Sequence, residues 1–147
     1  MSAALAVRLG SWDELSAQAS PIRFTVFVDE QKVPVELELD EFDPLSCHAV
    51  ALAGDEAVGT GRLLPDGHIG RMAVLAGWRG CGVGAALLQA LIDEAGRRGV
   101  ARLVLSAQTH ALGFYARFGF VPEGEVYEQA GLPHQVMTRV GSGYPHR

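Results

Sequence analysis

A glycine-rich segment near the middle of the chain combines residue types that can bind an anion. It comprises Arg79, Gly80, Cys81, Gly82, Val83, Gly84 and Ala85. A strongly periodic apolar pattern follows at once, so the segment leads into the N-terminus of a helix. Unpaired backbone N–H groups and the positive end of the helix dipole meet there, and glycines let an anion approach the backbone closely. The Arg79 guanidinium adds a donor pair suited to phosphate oxygens.

Two other phosphate-binding patterns fit this segment less well. Gly80, Gly82 and Ala85 satisfy the dinucleotide pattern G-x-G-x-x-A, but that pattern requires an acid about 20 residues on, at the end of the next strand. The next predicted strand instead leads into Ser-Ala-Gln at residues 106–108. A nucleoside-triphosphate loop needs Gly-Lys-Ser/Thr, and no lysine follows these glycines. A plain tight turn needs neither three alternating glycines nor an arginine, so anion binding is the favoured interpretation.

The overall composition argues against nucleic-acid and membrane partners. The chain has 147 residues, with 12 Lys and Arg against 17 Asp and Glu, and a formal net charge of −5. An acidic chain without a basic stripe would be repelled by a phosphate backbone. No apolar run approaches the ~20 residues that a bilayer span requires, and the N-terminus lacks the pattern of a signal peptide. We therefore expect a cytoplasmic protein.

Length and cysteine usage predict one domain without covalent or metal staples. A chain of this length can bury a single hydrophobic core, so we expect one domain over residues 1–147. Cys47 and Cys81 are too few and too far apart for a disulfide framework or a zinc site. No metal is expected, and the cysteine usage fits a reducing compartment.

The first 44 residues predict a strand, two helices and a loop. Residues 5–9 alternate enough for a strand. A capping box begins at Ser11, and Pro21 restarts a helix, so two short helices are expected over about 12–30. Residues 33–44 contain two prolines and five acids, which favours a solvated loop.

The remaining sequence predicts a sheet with two further helices. Strands are predicted at residues 48–52, 57–64, 68–74, 102–107, 120–121, 126–129 and 135–140. Helices are predicted at residues 82–98 and 111–118. The first three of these strands form an antiparallel meander. The order of elements is that of a mixed α/β (α+β) fold around one sheet.

Two motifs in this order resemble signatures of the GNAT (Gcn5-related) N-acetyltransferase family. The first, similar to the acyl-CoA-binding motif, is Met72-Ala73-Val74 followed by Arg79-Gly80-x-Gly82-x-Gly84-x-x-Leu87-Leu88. The second is Gln108-x-x-Ala111-x-x-Phe114-Tyr115-x-x-x-Gly119-Phe120. Residues 27–34, 38–43 and 131–134 further resemble the ElaA/YjcF-like branch of the family.

The resemblance implies a fold, a cosubstrate and several site residues. The fold would be the GNAT acyl-CoA N-acyltransferase fold, a mostly antiparallel sheet with splayed strands and about four helices. Acetyl-CoA would be the acyl donor, with its pantetheine arm on Met72 and Val74 and its pyrophosphate on residues 80–85. Gln108 would contact the cosubstrate or the acceptor. Tyr115 would give a proton to the leaving thiolate, and a homodimer is implied as well.

The general base and the acceptor site stay open at the level of sequence. The candidate bases are Glu30, Asp40, His48, His110 and His134, and a chain of water molecules could replace all of them. Glu30, Asp40 and His134 are the predicted substrate residues. The acids between positions 36 and 43 would attract a cationic amine if they lie beside the acceptor mouth.

Two functions of different classes fit these observations. The first is an acetyl-CoA-dependent N-acetyltransferase that acts on a primary amine of a small molecule or on an exposed amino group. The second is a non-catalytic module that binds or senses acyl-CoA. Tyr115 favours the enzyme because binding alone does not need a proton donor at that position.

Overall fold

Seven β-strands form two antiparallel sheets in the computed structural model, which describes residues 4–140. The first sheet consists, in spatial order, of β1 (Leu5–Gly10), β2 (Cys47–Ala53), β3 (Glu56–Leu63) and β4 (Ile69–Val74). The second sheet consists, in spatial order, of β5 (Arg102–Gln108), β7 (Leu132–Val140) and β6 (Val121–Gln129). The predicted mixed α/β fold with a mostly antiparallel sheet is confirmed, with that sheet divided in two.

Helices accompany both sheets. Within residues 4–140 the α-helices are α1 (Trp12–Arg23), α2 (Val35–Glu38), α3 (Val83–Arg97) and α4 (Leu112–Ala116). A π-helical segment, Phe24–Glu30, continues α1, and 3₁₀ turns lie at Asp43–Leu45, Ala76–Trp78 and Thr109–Ala111. None of the helices in this part of the chain has the length and apolar character needed to cross a bilayer.

The predicted break at Pro21 does not occur. The helix begins with the expected capping box at Ser11 and runs through Pro21 into the π-helical segment. Pro21 lacks an N–H and so removes one helix bond. A buried stripe of Ala19, Ile22 and Val26 nevertheless continues across it and packs on the first sheet. Burial of that stripe outweighs the lost hydrogen bond.

One long strand, β6, replaces the two short closing strands expected at its place in the sequence. It runs unbroken through Pro122 and Gly124. Its pairing with β7 shifts between Glu123 and Tyr127, where three residues of β6 face one of β7. Because β6 is an edge strand, it tolerates a proline, and the bulge accommodates the positive φ of Gly124.

The long helix α3 packs on β3 at a point where β3 carries glycine. Its apolar stripe, including Leu87, Leu88 and Leu91, is fully buried in the main core. A Cβ atom at Gly59 of β3 would lie 2.8 Å from Cγ1 of Val83, closer than real contacts allow. Glycine at this position therefore lets the helix approach the sheet.

Strand β4 contains a β-bulge at Arg71. Thr60 pairs with Ala73 and Arg62 pairs with Gly70, so one residue of β3 faces two of β4. Arg71 adopts a φ of +50°, in the left-handed region that side chains rarely occupy. Such a conformation costs about 1–3 kcal/mol and persists only where the surroundings enforce it.

The bulge reverses the alternation of side chains along β4. Ile69 and Ala73 are four residues apart and would face the same side of a regular strand. Ile69 instead belongs to the main core, whereas Ala73 packs with Ile22 and Val26 of the first helix and its π-helical extension. The residues between them, Arg71 and Met72, are thereby turned relative to a regular strand.

The two sheets meet at one end of β4 and β5 and then separate. The Val104 N–H donates to the Gly67 carbonyl at 3.1 Å, and His68 and Val104 form an isolated parallel bridge. Beyond this bridge, β4 and β5 are not paired with each other in the described chain. The predicted splay of these strands is therefore present, and it leaves a gap between the two sheets.

Three acids from the segment predicted to be a solvated loop are engaged in ion pairs instead. Arg23, almost fully buried, donates to Glu38 and binds Asp43 at 2.8 Å. Arg62 binds Asp40 at 2.7 Å and Asp43 at 2.8 Å. The prediction of a solvated loop is wrong for these acids, because their arginine partners are distant in sequence and become neighbours only in the fold.

The same cluster extends to the bulge of β4. Arg71 donates from Nη2 to Asp40 at 3.1 Å and from Nε to the Glu38 carbonyl at 3.1 Å. The two remaining acids, Glu36 and Glu41, are exposed, as predicted. We call the set of three arginines and three acids the ionic cluster.

The arginines determine how the acids of the ionic cluster titrate. Burial alone would raise the pKa of Asp43, but the hydrogen bonds and charges of Arg23 and Arg62 hold that pKa below its ordinary value. The pKa of Asp40 is also lowered against burial, chiefly by Arg62. Stability from these carboxylates is therefore complete above about pH 4, their unfolded pKa, and is lost as pH falls through the lower folded values.

Replacing Asp43 should reveal this contribution. Asp43→Asn should lower the free energy of unfolding at neutral pH by about 3–5 kcal/mol, because it leaves buried positive charge without its partner. The difference from wild type should shrink as the pH falls from about 4 through the lowered pKa of folded Asp43, where the wild-type carboxyl also becomes neutral. Urea unfolding over a series of pH values measures both effects.

Asp55→Asn is the matched control, since Asp55 is exposed in the turn between β2 and β3. It should change the free energy of unfolding by less than about 0.5 kcal/mol. Equal losses in the two variants, or a loss for Asp43→Asn that does not vary with pH, would contradict the role of the ionic cluster.

Candidate active site

A cavity of about 540 Å³ occupies the gap between β4 and β5. Its walls come from the π-helical segment, β4, β5, α4 and the hairpin that joins β6 to β7. They include Gln31, Arg71, Met72, Gln108, Tyr115 and His134. Gln108, Ala111 and Tyr115 of the second sequence motif thus line one space, together with other polar side chains that suit a small ligand.

The glycine-rich segment forms an open loop at the N-terminus of α3. Gly80 and Gly82 have φ values of +77° and +86°, and no heavy atom lies within 4 Å of where their Cβ atoms would be. Gly82 is the N-cap, and the first bond of the helix is donated by the Ala86 N–H to the Gly82 carbonyl at 3.0 Å. The N–H groups of residues 83–85 therefore have no acceptor within the helix and point toward the loop, as an anion site requires.

The end of β4 presents backbone groups to the gap. The Leu75 N–H donates to Val58 of β3 at 3.0 Å. Since successive residues of a strand direct their backbone groups to alternate sides, the N–H and C=O of Val74 face away from β3. The Arg79 Nε donates to this carbonyl at 2.9 Å. Val74 thus presents its carbonyl to Arg79, and its contact with a pantetheine arm stays a prediction.

Arg79 and Glu30 bind each other, which the sequence did not predict. Nη2 of Arg79 lies 2.7 Å from Oε1 of Glu30, at the end of the π-helical segment. The Arg79 side chain is 48% exposed and remains accessible beside the glycine loop. Glu30 is therefore placed next to the loop, outside the lining of the cavity. Its role as a substrate residue stays a prediction.

Tyr115 on α4 lines the cavity and keeps its proton. Its ring packs edge-on against Phe114 and Phe120, at centroid distances of 5.1 Å and 6.2 Å. Burial raises the pKa of its hydroxyl above the ordinary value. Within residues 4–140 the hydroxyl has no hydrogen-bond partner. The side chain is therefore a neutral phenol whose donor is available to a ligand.

The glycine loop, β4 and α4 meet at Gly84. A Cβ atom there would lie 3.6 Å from Cζ of Phe114 and 3.9 Å from Cγ2 of Val74. Phe114 is the neighbour of Tyr115, so the first turn of α3 adjoins both the free edge of β4 and the helix that carries Tyr115. A ligand anchored by its phosphates at the loop could reach along the gap to the Tyr115 hydroxyl.

Comparisons with known proteins identify this arrangement. The family model of the acetyltransferase (GNAT) domain matches residues 14–140. The chain belongs to the GNAT acetyltransferase family. The uncharacterized N-acetyltransferase YjcF of Bacillus subtilis is 37% identical over 131 residues, which cover 86% of this chain and 94% of that protein.

Solved structures give the same assignment. An acyl-CoA N-acyltransferase from Pseudomonas aeruginosa is 31% identical, with a TM-score of 0.84 over 93% of this chain and all of that chain. Escherichia coli ElaA is 30% identical, with a TM-score of 0.83 over 91% of this chain and 99% of that one. The predicted family, branch and fold are confirmed, and the chain is a GNAT-family N-acetyltransferase.

In this GNAT chain, Gln108 is held at the end of β5 by two neighbours. Its Nε2 donates to Oε1 of Gln31 at 3.3 Å, and its Oε1 accepts from Nε2 of His110 at 2.8 Å. Both partners also line the cavity. These contacts fix the Gln108 amide in the cavity wall, where it can meet the acceptor. His110 is exposed, and its Nε2 is used in the hydrogen bond to Gln108.

His134 on β7 presents a ring nitrogen to the GNAT cavity. Nδ1 lies 2.8 Å from the Leu132 carbonyl, which can only accept, so Nδ1 carries the proton. Nε2 then holds the lone pair when the ring is neutral. Among the candidate bases, His110 and His134 line the cavity, and in each the hydrogen bond made by one ring nitrogen leaves the other able to accept a proton when the ring is neutral.

Two other candidate bases serve the fold. His48 is buried against Trp12, and Nε2 lies 2.9 Å from the Asp43 carbonyl. Burial lowers the pKa of His48, so the ring stays neutral inside the protein. Asp40 belongs to the ionic cluster, where Arg62 and Arg71 occupy its oxygens. Its contact with the substrate stays a prediction, and neither residue is among those lining the cavity.

Several cavity residues of this GNAT chain escaped the sequence analysis. Arg71 reaches the wall through the bulge of β4, and Ser106 of β5 is hydrogen-bonded to Tyr127 and Gln129 of β6. Both features depend on strand pairing between distant segments. The one sequence feature that could have indicated Ser106 is that it is a polar residue within the otherwise apolar run of β5. Within residues 4–140 no group of His, Cys, Asp and Glu is arranged to hold a metal ion.

Proposed function

We propose that this chain transfers an acetyl group from acetyl-CoA to a primary amine of a small molecule or to an exposed amino group. The observation that carries the proposal is the meeting of three elements at Gly84: the open N-terminus of α3, the free edge of β4 and the helix of Tyr115. Family membership supplies the reaction class, and these residues supply the means to bind a nucleotide thioester.

Different residues around the gap would bind different parts of acetyl-CoA. The N–H groups of residues 83–85 would hold the pyrophosphate, and Arg79 would add a charged donor. Arg79 would also have to share or release the Val74 carbonyl when a pantetheine amide pairs with this strand. Met72 and Ala73, which are also predicted to contact the cosubstrate, lie on β4, the strand along which the gap opens.

The chemistry needs two proton movements. Acetyl-CoA supplies an activated acyl carbon, and the amine must lose a proton before it attacks that carbon. Nε2 of His134, a residue of the cavity wall, would accept that proton directly or through water. Tyr115, whose raised pKa keeps it protonated, would donate to the departing sulfur. A backbone N–H near Val74 would stabilise charge on the carbonyl oxygen.

A module that binds acyl-CoA without turnover is the second candidate. Thiol release from acetyl-CoA over a panel of amines, measured beside an acetyl-CoA titration, separates the two functions. We expect binding and turnover with at least one amine. Binding without turnover on any amine would favour the module, and no binding at all would reject both.

The location and the assembly stay predictions. Cys47 is buried and Cys81 is exposed, and both are free thiols, which fits the proposed cytoplasmic location. Homodimer formation is proposed on the family resemblance alone.

Gly84→Val tests the anion site without forcing a strained backbone, because Gly84 lies in the first turn of α3 at ordinary helical angles. The branched side chain would cover the free N–H groups and weaken acetyl-CoA binding by roughly 10- to 100-fold, the effect of losing one charge-assisted hydrogen bond or more. Ala90→Val adds a branched side chain farther along the same helix and should leave affinity unchanged. Unchanged affinity in a folded Gly84→Val variant would place the pyrophosphate elsewhere.

Tyr115→Phe tests the proton donor. The ring and its packing on Phe114 and Phe120 remain, so fold and acetyl-CoA affinity should persist while kcat falls by roughly 10²–10⁴-fold. Phe118→Leu changes an aromatic side chain on the far side of Phe114 without removing a hydroxyl, and it serves as the control for altered packing around this helix. Wild-type kcat in the Tyr115 variant would show that the thiolate receives its proton from solvent.

A further inference from the structure

Three side chains of the cavity wall form a hydrogen-bonded chain that runs in one direction. Nε2 of His110 lies 2.8 Å from Oε1 of Gln108, a carbonyl oxygen that can only accept, so Nε2 is the donor. Nε2 of Gln108 in turn donates to Oε1 of Gln31 at 3.3 Å. All three residues line the cavity. We call them the amide chain.

The direction of the amide chain determines which groups are left for a ligand. In an amide side chain the oxygen accepts hydrogen bonds and the nitrogen can donate two. The oxygens of Gln31 and Gln108 each accept a bond from the preceding member of the amide chain. Nε2 of Gln31 has no hydrogen-bond partner in the part of the protein that the structure describes. The amide chain therefore ends in two N–H donors at Gln31.

Backbone bonds on both sides hold Gln31 at this end of the amide chain. Its own N–H donates to the Val26 carbonyl at 3.1 Å, and the N–H of Val33 donates to the Phe27 carbonyl at 2.8 Å. Phe27 and Val33 line the cavity as well. Gln31 is thus held at its backbone by the fold and at its side-chain oxygen by Gln108. A group held in this way loses little freedom when a ligand binds to it.

The amide chain adjoins the proposed base. Gln108 on β5 is the cross-strand partner of His134 on β7. Directly opposite residues of an antiparallel pair place their side chains on the same face, with Cβ atoms about 4.5–5.5 Å apart. An amine presented to Nε2 of His134 would therefore lie close to the amide chain, and the remainder of the acceptor would meet it.

An acceptor that fills this space determines whether the Gln31 donors are paired. Water can satisfy them while the cavity is open to solvent. A bound acceptor displaces that water, and a donor that then faces hydrocarbon loses its hydrogen bond without replacement. A site that contains such donors rejects an analogue that lacks the matching oxygen.

We propose that the acceptor is a primary amine that also carries a neutral oxygen able to accept a hydrogen bond, such as an ether or carbonyl oxygen, and that Gln31 selects it. This inference rests on the proposed function. Gln108 is a positioning residue, because its bond occupies the Gln31 oxygen and leaves the Gln31 nitrogen to the acceptor. The cavity of about 540 Å³ has room for a small acceptor of this kind.

Methoxyalkylamines and n-alkylamines of equal chain length test this preference. Methoxyethylamine and n-butylamine differ by an oxygen in place of a methylene, and both carry a single positive charge at neutral pH. The measured quantity is kcat/KM for the ether divided by kcat/KM for the hydrocarbon. Gln31→Leu removes the donors and should lower this ratio roughly 10- to 100-fold relative to wild type. Intrinsic differences between the two amines are the same for both proteins and cancel.

Gln31→Glu should change the preference in the opposite direction. Glutamate keeps an oxygen that can accept from Gln108, but it replaces the donating nitrogen with a second acceptor and adds a negative charge. The ether preference should be lost, and kcat/KM for diaminobutane relative to n-butylamine should rise roughly 10-fold or more. A residue that only supports the fold would change kcat/KM for all these amines together.

Gln89→Leu is the matched control variant. It makes the same exchange of an amide for hydrocarbon at an exposed position of α3, where the Gln89 amide binds Asp93 away from the cavity wall. Both ratios should stay within about 2-fold of wild type in this variant. Thermal unfolding and acetyl-CoA affinity, measured on every variant, identify damage to the fold.

Either Gln31 variant decides the question if the other does not fold. An ether-to-hydrocarbon ratio that is unchanged in Gln31→Leu would overturn the proposal. Use of diaminobutane that is unchanged in Gln31→Glu would overturn it as well, since the sign of the charge beside the acceptor would then have no effect.

A binding measurement separates failure of this inference from failure of the proposed function. Calorimetric titration of the same amine pairs in the presence of coenzyme A involves no acetyl transfer. An ether preference in binding to wild type that is lost in Gln31→Leu supports the role of Gln31 even if no thiol is released in the kinetic assay. Absence of thiol release with every amine would reject the enzyme alone, whereas the same relative binding in both proteins would reject the Gln31 site alone.

Discussion

The divergence of β4 from β5 is the constraint on which the rest of the structure depends. One backbone bridge, from Gly67 and His68 to Val104, joins the start of β4 to β5, and beyond it the two strands are not paired within residues 4–140. Paired backbone groups would have closed the sheet, but the separation leaves the inner edge of β4 without a strand partner. Every element of the site is arranged around this opening: α3 begins at its mouth, α4 lies along it, and the β6–β7 hairpin covers its far side.

The ionic cluster braces the segment that follows the π-helical turn against β3 and β4. Arg23 at the end of α1 and Arg62 on β3 bind acids on the segment that follows the π-helical turn. Removing such charges from water is costly, so the cluster is stable only because nearly all its members find opposite charges and hydrogen bonds. The result is a polar brace that fixes α2 against β3 and β4. The same brace delivers Arg71 to the cavity wall.

The sequence allowed the glycine loop, the helix after it and the helix of Tyr115 to be predicted, but it did not reveal most of the residues that line the cavity. The glycine loop, α3 and Tyr115 depend on local spacing, which periodicity and motifs reveal directly. Arg23 and Asp43 are separated by 20 positions, and no local pattern joins them. The bulge at Arg71 depends on the register between β3 and β4, which one strand's sequence does not specify. The acids at 38–43 were therefore interpreted as a solvated loop, although the fold pairs them with arginines.

Arg79 is paired with Glu30, and whether this ion pair hinders phosphate binding depends on its strength relative to an Arg79–phosphate contact. The two side chains are 48% and 34% exposed, and an exposed pair of this kind contributes only about 0.2–1 kcal/mol. A phosphate with two negative oxygens offers the guanidinium two parallel charged bonds beside a helix N-terminus that attracts the same anion. If the loop binds a pyrophosphate as proposed, exchange of Glu30 for a phosphate at Arg79 would therefore be favourable. Until such a ligand arrives, Glu30 and the Val74 carbonyl hold the guanidinium at the edge of the loop, close to where a phosphate would bind.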